Sequence, residues 1–86
     1  MENIKKISED TAFQWENHWW NIIYRGNLIG TIERSQEEQW KVSIELMDAQ
    51  YFEKNMNLQN DIRTFMKLMT QKGIVLQEDI HNAIKR

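Results

Sequence analysis

Residues 19–34 read WWNIIYRGNLIGTIER: two runs of aromatic and β-branched residues on either side of a Gly-Asn pair. Such side chains suit a pleated surface. Glycine at the first central position of a two-residue loop fits a type II′ turn, so the stretch reads as a β-hairpin turning at Gly26-Asn27. That register pairs Arg25 with Leu28, Tyr24 with Ile29, Ile23 with Gly30 and Ile22 with Thr31. It places Trp20, Ile22, Tyr24, Ile29 and Thr31 on one face and Trp19, Ile23, Leu28 and Ile32 on the other. Both faces are then apolar, whereas an antiparallel sheet with one solvated side shows clean alternation.

Working outward, residues 40–46 (WKVSIEL) alternate with period two. Trp40, Val42, Ile44 and Leu46 share one face, and Lys41, Ser43 and Glu45 the other. Phe13 and Trp15, two residues apart before the polar Glu16-Asn17-His18, extend the strand character back to residue 11. The first ten residues, with only Ile4 and Ile7 apolar beyond the initiating methionine, read as a short helical turn or a loosely held arm. After Met47 the period changes. Asp48 is a capping residue for a first helical segment, and Leu58, Ile62, Phe65 and Met69 form an amphipathic stripe flanked by Met66 and Leu68. The spacing leaves open one helix over residues 48–72 or two joined near residues 55–57. Gly73 suits a helix-terminating position, and residues 77–86 read as a short final helix. Strands followed by helices predict an α+β fold. Its antiparallel three- to four-stranded sheet spans roughly residues 11–46 and is packed by the amphipathic helix and the final helix.

The chain has 86 residues, 41% hydrophobic and 28% charged, which predicts one small globular domain. It has no cysteine, so disulfides are excluded, and two histidines alone do not make a structural zinc site. The net charge of −2 is too balanced for the basic field of a non-specific nucleic-acid binder. The N-terminus lacks the apolar run of a signal peptide, and no stretch approaches a membrane span, so the expected location is cytoplasmic.

Residue patterns that carry chemistry are absent. His18 and His81 have acidic neighbours (Glu16; Glu78 and Asp79) but no metal-ligand spacing, and the three glycines are too dispersed to cradle a phosphate. No serine sits in a nucleophile elbow. Glu33 and Glu45 read as strand carboxylates facing cations or solvent. The sequence therefore predicts no enzyme activity, no cofactor and no metal.

What remains is the aromatic surplus, four tryptophans among 86 residues. One apolar hairpin face more than a single helix can cover implies either a third layer or a partner. Tryptophan, tyrosine and arginine are enriched at binding hot spots. The sequence points to a small protein-binding regulator or inhibitor acting by surface complementarity, with a second protein or a second copy of the chain as partner. Trp19, Trp20, Ile23 and Tyr24 are the expected anchors, with Arg25 and Arg34 at the rim. Usage rich in lysine, asparagine, glutamine and isoleucine fits an accessory protein of a phage or mobile element. The alternative is nucleic-acid binding through Arg25, Arg34 and Lys41, with Trp19 or Trp40 as stacking residues. In that arrangement a three-stranded sheet backed by a helix is similar in outline to the DNA-binding sheets of integrase arms and plant AP2 domains, though it carries no diagnostic motif of either. Glu33, Glu37, Glu38 and Glu45 on or beside the same strands oppose contact with a phosphate backbone.

Overall fold

The hairpin turns one residue earlier than the sequence reading places it. In the computed structural model, which describes residues 3–34 and 39–72, Arg25 (φ 50°) and Gly26 (φ 82°) both lie at positive φ. Tyr24 pairs with Asn27. Two consecutive positive-φ residues between paired strands are the mark of a type I′ turn, whose twist matches that of the strands it joins.

Five strands result: β1 (Ile4–Lys6), β2 (Thr11–Trp15), β3 (Trp19–Tyr24), β4 (Asn27–Arg34) and β5 (Trp40–Ile44). They form one antiparallel sheet in chain order. The class is α+β as expected, but the sheet has five strands rather than three or four. The additional strand is β1, where a helical turn or loose arm was expected. Its backbone is held by β2, with Ile4 opposite Gln14 and Lys6 opposite Ala12. Alternation around two isoleucines is too sparse to announce a three-residue edge strand, which gains its stability from the ladder it joins.

A bulge in β4 sets the faces of the sheet. Ile23 pairs with Leu28 but Ile22 pairs with Gly30, leaving Ile29 as the extra residue. Beyond it Asn21 pairs with Thr31, Trp20 with Ile32 and Trp19 with Glu33. The bulge turns Ile29 inward and exchanges two assignments of the simple register: Ile32 becomes fully buried, and Thr31 moves to the opposite face with Asn21. The displaced turn and the bulge together exchange Ile32 for Thr31 on the second face, which keeps Trp19, Ile23 and Leu28.

Gly30 makes this geometry compatible with β5. A Cβ there would run into the Ser43 carbonyl oxygen and sit 3.0 Å from Ile44 Cα. The Ile29 carbonyl accepts hydrogen bonds from both Glu45 N and Leu46 N, each at 3.0 Å. These bonds end β5 after Ile44, so Leu46 does not continue the inward row with Trp40, Val42 and Ile44. It is 67% exposed.

Two helices follow, α1 (Ala49–Lys54) and α2 (Met56–Lys72). Asp48 caps α1 by accepting from Tyr51 N at 3.0 Å. Asn55 divides the helices: its Oδ1 accepts from Leu58 N at 3.0 Å and caps α2. Gln59 Nε2 donates to the terminal α1 carbonyls of Phe52 (2.8 Å) and Glu53 (3.1 Å). The amphipathic stripe is as expected, with Leu58, Ile62, Phe65 and Met66 wholly buried. It packs on Phe13, Ile22, Ile29, Ile32, Trp40 and Val42 of the sheet, with Phe52 and Met69 at the margin. The Phe13 and Phe65 rings stack at 4.0 Å between centroids, and Trp20 meets Phe65 edge-on at 4.9 Å. Asp61 on α2 accepts from Ser8 Oγ (2.8 Å) and Thr11 Oγ1 (2.7 Å), tying the β1–β2 connection to the helix. The expected helix stop at Gly73, the final helix over residues 77–86 and the polar residues 35–38 lie outside the described residues.

Candidate interaction surface

Strand pairing fixes which side chains share the sheet face opposite the helices. β1 contributes Ile4 and Lys6, and β2 contributes Ala12 and Gln14. Trp19, Asn21 and Ile23 come from β3, with Leu28, Thr31 and Glu33 opposite them on β4. Lys41 and Ser43 complete the face on β5. Among the described residues both helices pack on the other face, and the fold measures only 18 Å in its thinnest direction. For the described residues that thickness accommodates one sheet and one helix layer.

The face is organised in transverse rows. The central row runs Ile4, Gln14, Asn21, Thr31, Ser43, one residue from each strand. Asn21 accepts from Trp19 Nε1 at 2.9 Å and directs its own amide toward Gln14 Oε1 at 3.5 Å. The row toward the hairpin tip is apolar, with Ala12, Ile23 and Leu28 side by side and Lys6 at its edge. The opposite row carries Trp19 next to Glu33, which in turn faces Lys41. Leu28 is 44% and Ile4 53% exposed, while Trp19 and Ile23 are half-buried. An apolar strip beside uncharged hydrogen-bonding groups, with Lys6, Glu33 and Lys41 at the margins, has the composition of a docking surface core with a polar rim.

The residues singled out from sequence divide between the two faces. Trp19 and Ile23 lie on this one. Trp20 and Tyr24 point the other way: Trp20 packs between Trp15 and Phe65, and Tyr24 is buried in the core cluster. Arg25 sits at the hairpin tip, its Nε 3.4 Å from Asp10 Oδ1 and its guanidinium 5.1 Å from the Tyr24 ring centroid. Arg34 ends β4 on the helix side, 5.3 Å above the Trp40 ring. The three cations of the nucleic-acid alternative thus lie at the tip (Arg25), on the helix side (Arg34) and on the helix-free face beside Glu33 (Lys41), rather than on one surface.

Sequence reasoning missed the polar row of Gln14, Asn21, Thr31 and Ser43. Asn21 inside WWNIIY carried a signal for it, since an amide amid apolar residues marks the less buried face. It also missed Ile4, which joins the surface only through β1. His18 lies exposed in the β2–β3 turn, next to Asn17 at φ 70°, and His81 is outside the described residues. Among the described residues no group of three or more histidine, cysteine or acidic side chains could hold a metal ion. No described helix is long and apolar enough to cross a membrane. Searches of protein-family models, curated proteins and solved structures give no match to this chain.

Proposed function

We propose that this domain is a non-enzymatic protein-binding module, a regulator or inhibitor that acts by steric surface complementarity through the helix-free face of its sheet. The observation that carries the proposal is the apolar strip of Ala12, Ile23 and Leu28, flanked by Trp19 and Ile4, on the face that no described element covers. The helix-side face completes its own core with wholly buried residues from both layers. Apolar side chains on the second face lie outside that core among the described residues, and partner contact is a role that would use them. Trp19 is the anchor of the surface and Ile23 and Leu28 its apolar floor. The hydrogen-bonded Asn21 and Gln14 give register, since a buried polar group must find its partner across the interface. Trp20 and Tyr24 serve as supports from the core side.

The test is capture of a partner from the native host by the full chain, compared with Leu28→Asp and Ile23→Asp variants. A protein retained by the wild type and lost from both variants, at unchanged circular dichroism and melting temperature, supports the proposal. Light scattering at micromolar concentration identifies the case in which the partner is a second copy. Equal retention by the variants, with no self-association, rejects this face as the interaction surface.

A further inference from the structure

A separate site emerges at the hairpin tip, on the helix side of the sheet and independent of the surface proposed above. A shallow cavity of about 410 Å³ opens between the β3–β4 turn and α1, lined among others by Tyr24, Arg25, Tyr51, Lys54 and Asn57. That volume falls within the ~300–1,000 Å³ usual for small-ligand sites. We infer that this cavity binds the oxyanion of a small organic ligand, a phosphate ester or a carboxylate, with Arg25 as its principal contact.

Arg25 occupies the first central position of the type I′ turn at φ 50°, a position that favours asparagine, aspartate or glycine because a larger side chain strains there. Turn formation does not explain an arginine. Its interactions within the fold do not require one either: a single 3.4 Å contact from Nε to exposed Asp10 and a cation–π contact with Tyr24. Both leave the terminal nitrogens without a described partner, so the planar fork that matches a carboxylate or phosphate remains available. Asp10 also fixes the strand-end geometry by accepting Arg25 N at 2.7 Å through its main-chain oxygen. That bond fixes the backbone from which the Arg25 side chain projects.

The rest of the lining suits an anion. Lys54 supplies a second cation from the last turn of α1. The Tyr24 hydroxyl accepts from Asn55 Nδ2 at 3.0 Å, which leaves its proton to donate. The Tyr51 phenol is held above its ordinary range, first by its hydrogen bond with Tyr24, which uses one of the two phenol protons and leaves the other for a ligand. Half-exposed, its ring offers a flat wall for the organic part of the ligand. Asp10 is the one carboxylate with a described ion pair to the site, and it leaves a cationic excess from Arg25 and Lys54.

The experiment is a nitrogen–proton NMR titration of the full chain with phenyl phosphate, benzoate and inorganic phosphate at constant ionic strength. The expected result is a saturable shift confined to the Arg25 side-chain Nε–H and the amides of Arg25, Lys54 and Asn57. Preference for phenyl phosphate assigns a phosphate ester, and preference for benzoate a carboxylate. Arg25→Asn should weaken binding about tenfold or more, as expected for loss of a charge-assisted bidentate contact, while the melting temperature holds or rises. Lys54→Gln should weaken it severalfold with the melting temperature unchanged. Shifts that fail to saturate, or that persist in Arg25→Asn, would overturn the inference. So would a lower melting temperature in Arg25→Asn, which would make the arginine a structural part of the turn.

Discussion

Gly30 shows how one residue can decide the faces of a sheet. Its missing side chain lets β5 close against the bulged strand where a Cβ would meet the Ser43 carbonyl and approach Ile44 Cα to 3.0 Å. The clash is with backbone on a paired strand, so no rotamer change relieves it. Gly30→Ala should destabilise by about 1–3 kcal/mol, the usual range for overpacking. In a domain of this size that is a fall of about 4–8 °C in melting temperature per kcal/mol. Thermal unfolding followed by circular dichroism checks it, and a variant as stable as the wild type would mean the bulge is readily rebuilt. Gly26 behaves differently, since nothing lies within 4 Å of an added Cβ and only its φ of 82° constrains it. Gly26→Ala should therefore have a smaller effect, from backbone strain alone.

At the scale of elements, side-chain hydrogen bonds join pieces that are marginal alone. β1 has three residues and pairs with one neighbour, yet the connection after it is fixed by Asp61 through Ser8 and Thr11. Thr11 is almost fully buried. Asp61→Ala would leave its hydroxyl without that acceptor, at about 1–3 kcal/mol for an unsatisfied buried group. Urea denaturation should show that loss, and hydrogen exchange should accelerate first at Lys5 and Ile7, whose amides belong to the tethered region. Uniform acceleration across the sheet would instead indicate that β1 is not a separate unit. The same scale marks how much the sequence disclosed. The α2 stripe, the alternation of residues 40–44 and the strand–helix order were legible because period alone carries them. The bulge was not, because it arises from how β4 meets β3 and β5 together, and a one-residue shift flips every side chain beyond it. The break at Asn55 was legible as a place but not as a fact: the sequence leaves open one helix or two joined near residues 55–57. The outcome depends on Asn55 reaching Leu58 N and Tyr24, and on Gln59 reaching back to α1. The candidate site was half legible. Trp19 and Ile23 lie on the face opposite the described helices, while adjacent Trp20 packs half-buried against the core and Tyr24 lies in it, and the turn one residue later in the simple register did not reveal the polar row between them.

For the whole molecule the question is what each side of an 18 Å slab contributes to stability. Among the described residues the helix side holds the fully buried large side chains, the stacked Phe13 and Phe65 among them, with half-buried Trp20 edge-on to Phe65. The other side shows apolar groups beside Asn21, Gln14 and Thr31, partly exposed and without a described layer above them. Adjacent tryptophans sample the two sides, which makes them a matched pair of probes. Trp20→Ala removes a half-buried ring packed against Trp15 and Phe65, and should cost about 3 kcal/mol, the low end of the range for large aromatic truncations in a core. That is a large share of the stability of a small domain, ~5 kcal/mol at the low end, so the variant should unfold at a much lower urea concentration than the wild type. Trp19→Ala removes a half-buried ring whose described polar contact is the Nε1 bond to Asn21. It should cost about 1 kcal/mol, as a typical net hydrogen bond does, and leave the urea cooperativity intact. Denaturant melts of the two variants decide the point. If Trp19→Ala destabilises the chain as much as Trp20→Ala, the second face is core, and the domain has no uncovered sheet surface to offer a partner.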